Sequence, residues 1–360
     1  MSRIRKKIEE FHFSGENKGI ARNILRPISY IYNGITKIRR GIYSKKILKS
    51  KQVGCYTITV GNLTYGGTGK TPVVINLADR FLRKGLRVGI IHSGYGSLQH
   101  RRRTPKRVAG NNEGPEAGDE AIELFVRAKD ALVYSSRDKA EAIERAIFEG
   151  GVNVCILDDA FQYLKITSDL KIVVVDFYDR FGNGECLPAG PLRESRDALN
   201  YADIIWFVSH KEYNGTEEIE KEFLSINKSL KFIYSMFNID SLICLKDMQQ
   251  ADISKLLNAK VISFCGIGRD NRFVEMLKMS GINPVSHLSF GDHHRYTSSD
   301  IDKIKDKIRR EKANFVITTE KDYLRDTTVM SQIENLYILR VNLKIISGDK
   351  SLNEIVDSLL

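Results

Sequence analysis

The sequence predicts an α/β protein with a P-loop-containing doubly wound sheet domain, a smaller second α/β domain and an N-terminal amphipathic helix. Three observations carry this. From residue 53 onward, apolar β-branched runs alternate with helix-patterned stretches, the order that parallel sheets with crossover helices require. A glycine-rich loop at 64–71 joins one such run to a helix-patterned stretch. Ahead of both, six isoleucines recur at spacings of 4, 3, 4, 3 and 4, which is the period of one helix face.

The first element is that helix. Ile24, Ile28, Ile31, Ile35, Ile38 and Ile42 form its stripe, and Pro27 is tolerable if the helix begins there, because a first-turn residue has no intrahelical N–H partner. Arg22, Arg26, Lys37, Arg39, Arg40, Lys45 and Lys46 flank or oppose the stripe. The net charge of +11 is concentrated here: residues 1–51 hold 14 Lys and Arg against three Glu, and the remainder balances at 42 of each sign. A diffuse nucleic-acid-binding surface is not distributed in this way, so no nucleic-acid partner is expected. The pattern fits a helix packed on its own domain with a solvated basic face. It fits equally an interfacial helix on an anionic membrane surface, and less well a segment for a partner's groove.

The α/β pattern follows. "YTITVGN" reads as a buried strand, "TPVVINLADRFLRKG" as a helix closed by Gly85, and "RVGIIHSGYG" as a strand running into a loop. "DEAIELFVRAKD" and "RDKAEAIERAIFEG" are helical, with the strand "ALVYSS" between them; "VNVCILDDAF", "LKIVVVDF" and "DIIWFVSH" are further strands. "KFIYSMFNIDSLICLKD" reads as a short two-stranded connector, followed by a second α/β run from "KVISFCGIG" to the terminal helix "SLNEIVDSLL". The expected domains are 1–52, the basic helix segment; 53–225, the P-loop domain; 226–256, the connector; and 257–360, the smaller domain. At 360 residues two domains are the ordinary expectation.

An apolar fraction of 42% with 28% charged residues describes an ordered globular chain. Five scattered cysteines without a C-x-x-C pair argue against a disulfide framework or a zinc site, which predicts a reducing cytosol. "MSRIRKKIEEFHFSGENKG" lacks the apolar run of a signal peptide. No stretch approaches the roughly 18 apolar residues of a membrane-spanning helix.

The chemistry-bearing residues sit at predicted strand ends. Gly66, Gly67 and Gly69 let backbone N–H groups curl around phosphate oxygens; Lys70 supplies a charge for the β- and γ-phosphates and Thr71 a hydroxyl for Mg²⁺. The strict pattern would start with glycine, where this chain has Thr64. A strand ending in Asp158 and Asp159 is where P-loop enzymes hold Mg²⁺, although an aspartate there also suits a turn or helix cap. Asp119 and Glu120 precede a helix, where an N-cap is the ordinary reading. Asp292, His293, His294 and Tyr296 share a loop of the second half, and loop histidines are often merely solvated. Phosphoryl transfer nevertheless needs a group to take the acceptor's proton.

Together, "VGNLTYGGTGKTP", "GDEA", "LDDAFQ", "GNGECLPAGPLRES", "FCGIG", "FGDHHRY" and "TTEKD" make the chain resemble the tetraacyldisaccharide 4'-kinase family, the lipid A pathway kinases of Gram-negative bacteria. These stretches stand in the family's order from residue 53 to about 325. The family's own loop has the form G-N-L-T-x-G-G-T-G-K-T, so Thr64 is the expected residue. The resemblance implies ATP- and Mg²⁺-dependent transfer of the γ-phosphate to the 4'-hydroxyl of a tetraacylated diglucosamine 1-phosphate, a lipid A disaccharide precursor. Gly61, Asn62, Thr64, Gly66, Gly67, Thr68, Gly69, Lys70 and Thr71 would line the nucleotide. Thr71, Asp158 and Asp159 would lie at the metal. Asp119 would be the general base and His293 its partner, met on closure of the second domain. Glu120, Arg137, Gln162, Arg193 and Glu194 would be polar contacts to substrate or phosphate. The N-terminal segment would associate peripherally with the cytoplasmic face of the inner membrane.

The chain also departs from the family pattern. "SRGYG" reads "HSGYG", with Ser93 for arginine, and "DDGxQH" reads "DDAFQY", with Ala160 and Tyr163. The lost arginine bears on one phosphate or headgroup contact. Two other classes remain to be weighed: a P-loop switch or metallochaperone NTPase, which would read guanine through an N-K-x-D that is not found here, and a non-catalytic nucleotide-binding protein at the membrane surface.

Overall fold

The structure is a computed structural model that describes residues 11–13, 19–94, 97–98, 104–110 and 113–359. Tyr95 and Gly96 of "HSGYG" and the first ten residues lie outside them. The chain divides into two compact units. One holds the chain through Met236 and again from Leu343, the other Phe237–Asn342.

The larger unit opens with α1, Gly19–Ser44. The helix starts eight residues ahead of Pro27, so the expectation that it begins at the proline is corrected. A ring inside a helix costs about 3 kcal/mol. Tertiary contacts around the ring oppose that cost: Arg22 and Arg26 both pair with Glu185, at 3.1 and 2.9 Å. On the same face Ser29 accepts from the Ala189 N–H, and Arg40 is buried against Glu194 with its guanidinium over the Phe161 and Tyr201 rings. The isoleucines face the other way. Ile24, Ile28, Ile31, Ile35 and Ile38 are 53–66% exposed, and only Ile42 is partly buried. The helix thus docks through its polar face and presents its apolar face outward, the reverse of a core-packed amphipathic helix.

Six strands and their crossover helices follow: β1 (Tyr56–Gly61), α2 (Lys70–Arg83), β2 (Val88–His92), β3 (Lys106–Arg107), α3 (Asp119–Arg127), β4 (Leu132–Ser135), α4 (Lys139–Gly150), β5 (Val154–Leu157) and β6 (Leu170–Asp176). Then come β7 (Ile204–Ser209), α5 (Thr216–Leu224) and β8 (Lys231–Cys244). The sheet order is β8-β7-β6-β1-β5-β2-β4-β3, parallel throughout except for β3. Strands covered on both faces must be apolar all along their length. β2, β5 and β7 are buried at every residue, which is why they read as mostly apolar runs, VGIIH, VCIL and IIWFVS.

The segment expected to be a two-stranded connector, 226–256, holds a short strand, β9 (Gln249–Ala251), and the 14-residue strand β8 (Lys231–Cys244). The start of β8 pairs parallel with β7, and its end pairs antiparallel with β9. Aromatic and β-branched residues recur along β8, at Phe232, Ile233, Tyr234, Phe237, Ile239 and Ile243, and favour an extended chain.

The smaller unit continues with β10 (Val261–Cys265), α6 (Asp270–Met279), β11 (Ser286–Ser289), α7 (Ser298–Glu311), β12 (Phe315–Thr319), α8 (Glu320–Arg325) and β13, which starts at Leu336. β11-β10-β12-β13 are parallel. α7 is set by a full capping box, Thr297 with Asp300. The terminal helix α9, Asp349–Asp357, belongs to the larger unit. There Asp349 pairs with Arg80 on α2, at 2.6 Å, and Asp357 with Lys84, the residue that caps α2, at 2.8 Å. The expected run of the second domain to residue 360 is corrected accordingly.

Candidate functional site

In a parallel sheet all carboxyl ends open on one edge, the place where open α/β sheets bind ligands. Register makes that edge specific here. Thr59 of β1 and Ile91 of β2 both stand beside Leu157 of β5. The next residues along β2 and β5 are His92 and Asp158, and two beyond Thr59 is Gly61.

Gly61 itself makes room. A Cβ there would lie 2.6 Å from both the Cβ and the N of Phe161, so the missing side chain lets the turn after β5 pack against the end of β1. Gly61→Ala is expected to destabilise the chain by about 1–3 kcal/mol and to displace the turn carrying Asp158 and Asp159. Chemical denaturation checks the first effect and ATP affinity the second.

The loop is braced from within and from outside. Asn62, fully buried, donates to the Thr64 carbonyl at 2.6 Å and to Thr68 Oγ1 at 3.1 Å, while Gln162 donates to the Asn62 carbonyl at 2.9 Å. Thr64 is buried and bridges to Leu192, the Arg193 N–H donates to the Leu63 carbonyl at 2.7 Å, and the Tyr65 N–H to Pro191. Backbone bonds on both sides of Thr64 therefore tie the loop to the "PLRE" stretch. Gly69, at φ 85°, caps α2, whose first residues are Lys70 and Thr71. A helix N-terminus under a glycine-rich turn is an anion site. A Cβ on Gly66 or Gly67 would meet nothing within 4 Å, so that side of the loop is open.

The two aspartates divide the work. Asp159, at φ 46°, takes Arg193 Nη1 at 3.0 and 3.1 Å and Lys70 Nζ at 3.6 Å. Burial alone would raise its pKa, but Lys70 and Arg193 outweigh burial and hold it below the usual range. Asp158 is 1% exposed; one oxygen meets His92 Nδ1 at 2.9 Å and the other, Oδ1, is buried with no partner. Lys139, the first residue of α4, donates to the carbonyls of Asp158 and Ile91 at 2.8 and 3.3 Å. Burial pushes its pKa down to about 8, opposed by Asp158 and Asp159.

The remaining expected residues are spread more widely. Asp119 opens α3 behind Gly118, the cap residue, so Asp119 is not the N-cap that the ordinary reading makes it. Glu120 brings Oε2 to 3.9 Å from His92 Nε2. Glu194 turns away from the loop to Arg40; burial raises its pKa, and Arg40 works the other way. Arg137 is exposed on the turn before α4. In the smaller unit His293, at φ 57°, is exposed with Nε2 3.7 Å from Asp292, whereas His294 is tied to Asp300 of the α7 cap at 3.0 Å and stacked on Phe290. Ser93 and Gly94 follow β2, while Ala160 and Tyr163 pack in the cluster around Ile91 and Cys155.

Sequence reasoning missed two features. His92 hid at the end of an apolar strand, where its place beside Asp158 depends on strand order. His12 lies in the piece Phe11–Phe13, far from the loop in sequence. Its Nε2 donates to the Pro188 carbonyl at 2.9 Å, which fixes the neutral tautomer, and Nδ1 accepts the Tyr65 hydroxyl at 2.7 Å.

Comparison with known proteins matches residues 21–360 to the family model for tetraacyldisaccharide-1-P 4'-kinase. A tetraacyldisaccharide 4'-kinase from Desulfatibacillum aliphaticivorans is 31% identical, over 97% of this chain and 96% of its own. One from Coxiella burnetii (strain RSA 331 / Henzerling II) is 33% identical over 84% and 81%. The crystal structure of LpxK from Aquifex aeolicus in complex with ATP superposes with a TM-score of 0.74 at 27% identity, covering 94% of this chain and 99% of that one. The chain belongs to the tetraacyldisaccharide-1-P 4'-kinase family.

Proposed function

We propose that this chain transfers the γ-phosphate of ATP to the 4'-hydroxyl of a tetraacylated diglucosamine 1-phosphate in lipid A biosynthesis, at the surface of the inner membrane. The observation that carries the reading is the common edge of β1 and β5, where an open glycine loop and the Lys70 ammonium stand beside two aspartates of different character. Family membership over residues 21–360 supports the acceptor and argues against a switch NTPase or a non-catalytic scaffold.

In this reading the backbone N–H groups of 66–71 and the α2 terminus bind the phosphates, and Lys70 neutralises charge on the transferring group. Lys70 and Arg193 already share Asp159, so both cations are held at the loop before nucleotide arrives. A buried carboxylate oxygen without a partner on Asp158 and the Thr71 hydroxyl at the first turn of α2 suit a hydrated divalent cation, and these two residues would hold Mg²⁺. Bound there, the ion would supply charge neutralisation for the transferring phosphate. Asp119 takes the proton of the 4'-hydroxyl, and His293 is assigned as its partner. Glu120 and Arg137 remain candidate polar contacts to the acceptor, and Asn62, Thr64, Thr68 and Gln162 keep the loop in shape.

The membrane part of the reading rests on α1. No helix among the described residues is long and apolar enough to cross a bilayer, so attachment through α1 is peripheral. Five isoleucines on one outward face suit insertion among acyl chains. Arg22, Arg26, Lys37 and Arg40 pair with Glu185, Asp197 and Glu194, so the expectation that these cations meet headgroups is replaced by docking within the chain. Lys45, Lys46 and Lys49 follow the stripe and are exposed, and they are the cations this reading gives to anionic lipid.

Ile28→Ser, Ile31→Ser and Ile35→Ser combined are expected to remove about 3–6 kcal/mol of insertion energy and to weaken anionic-vesicle binding more than a hundredfold. Flotation of the protein with vesicles measures it, and unchanged partitioning would remove α1 from the membrane. The decisive assay supplies labelled ATP, Mg²⁺ and the purified disaccharide 1-phosphate lipid, then locates the new phosphate. An unphosphorylated lipid, or label at a position other than 4', ends the reading.

A further inference from the structure

Tyr65 is the last loop residue before Gly66, at φ 100°, where the open side of the loop begins. It is held at both ends. Its N–H donates to the Pro191 carbonyl at 2.9 Å, and its hydroxyl donates to His12 Nδ1 at 2.7 Å. The direction of the second bond follows from the other ring nitrogen. His12 Nε2 meets the Pro188 carbonyl at 2.9 Å, and a carbonyl only accepts, so Nε2 carries the hydrogen and Nδ1 of the neutral ring accepts. Burial favours this neutral ring, because desolvation lowers the pKa of His12.

The seat of His12 is shaped for it. The residue is 4% exposed, and its carbonyl accepts the Asn183 N–H at 2.9 Å. A Cβ on Gly182 would lie 2.8 Å from that carbonyl oxygen and 3.2 Å from the Phe13 ring, so the missing side chain at 182 admits residues 12 and 13. Both rings stand edge-on to Tyr65, with centroids 5.3 Å away for His12 and 6.0 Å for Phe13. Asn183 Nδ2 donates to the Ala189 carbonyl at 2.9 Å, which closes the loop that carries Pro188 and Pro191. Tyr65 is thus gripped between residues 12–13 and that loop.

The grip matters because the loop beyond it is soft. Glycine at 66, 67 and 69 lets the backbone leave its phosphate-binding shape at little cost. Apparent affinity scales with the fraction of molecules that hold the competent shape, so a fixed entrance raises it.

We propose that His12 is a positioning residue for ATP: through the Tyr65 hydroxyl it holds the entrance of the glycine loop in its phosphate-binding shape. His12 stands ahead of residues 21–360, the part matched to the family model. The inference rests on the reading of the loop as an ATP site and is independent of the acceptor.

The test uses the full-length protein with His12→Ala, Tyr65→Phe and the two combined. Equilibrium binding measures ATP affinity in the presence of Mg²⁺, and transfer to the disaccharide lipid gives KM for ATP and kcat. Losing one buried hydrogen bond from the competent loop is expected to weaken ATP about tenfold in each single variant. KM for ATP rises by the same factor and kcat at saturating ATP stays within twofold, the pattern of lost uniform binding. The double variant is no weaker than either single one, because both cut the same bond. Tyr65→Phe removes one oxygen and keeps the ring, so the test does not depend on His12→Ala folding. ATP affinity within twofold of the parent in Tyr65→Phe overturns the proposal. Single effects that multiply in the double variant overturn it too, as does a fall in kcat with KM unmoved. Two outcomes keep the readings apart. A parent that phosphorylates the lipid, with both single variants at parental ATP affinity, refutes the His12 contact and leaves the kinase reading intact. The expected losses of ATP affinity in a chain that leaves the lipid unphosphorylated uphold the contact and end the acceptor reading.

Discussion

Replacing Asp119 with alanine is expected to lower phosphate transfer by about 10²–10⁴-fold, a barrier increase of roughly 3–5 kcal/mol, while ATP affinity stays within twofold. The argument starts from a helix end. Asp119 is the first residue of α3, and the capping position belongs to Gly118 at φ 99°. Its carboxylate is therefore not needed as the cap that an aspartate at a helix start ordinarily provides, and it is only partly buried. Lys70 and the glycine turn, by contrast, act on the phosphates. Lys70→Ala should weaken ATP binding as well as transfer, so the two variants differ in which constant moves. Single-turnover transfer from labelled ATP, with ATP binding measured on the same variants, separates them. Transfer by Asp119→Ala within a few fold of the parent would take Asp119 out of the chemical step.

Much of the larger unit was legible because its signals are local. β1, the glycine loop and α2 are contiguous, and Gly69 precedes the helix it caps. β5 and β7 read as strands because burial on both faces makes them almost wholly apolar. The isoleucine stripe of α1 was visible as a period. Its outward orientation was not, since that depends on Glu185 and Glu194, more than 140 residues away in sequence. The start of the helix was misjudged for the same reason: Pro27 marks a local boundary that the distant ion pairs override. Residues 343–360 return to the larger unit through α2, a pairing that no window of sequence contains.

The site shows the same division. Lys70, Thr71, Asp158 and Asp159 were nameable from the motif, yet which aspartate meets cations and which lies beside His92 follows from strand register and from Arg193. The "TTEKD" stretch was noticed as a family mark without a physical role, and the structure supplies one.

Asp322→Ala is the substitution expected to cost most in stability, about 3–5 kcal/mol. Asp322 and Arg325 both have fully buried side chains, 3.2 Å apart. The carboxylate also accepts from the Gly266 N–H at 2.9 Å, the Tyr296 hydroxyl at 3.0 Å and Thr319 Oγ1 at 2.6 Å. Arg325 in turn donates to the carbonyls of Gly266 and His294. One ion pair thus ties "FCGIG", "FGDHHRY" and "TTEKD" together and sets the loop that carries His293. Burial raises the pKa of Asp322 in spite of Arg325, which shows how much desolvation the pair must offset. Removing the acid alone leaves a buried guanidinium with its main counter-charge gone, the costly half of the exchange. Asp322→Ala with Arg325→Met removes both charges and should recover part of the loss, which a double-mutant cycle by urea denaturation measures. Equal stability of Asp322→Ala and the parent would show that the pair does not hold this loop. A large coupling together with reduced transfer would tie the "TTEKD" stretch to the positioning of His293 rather than to the nucleotide.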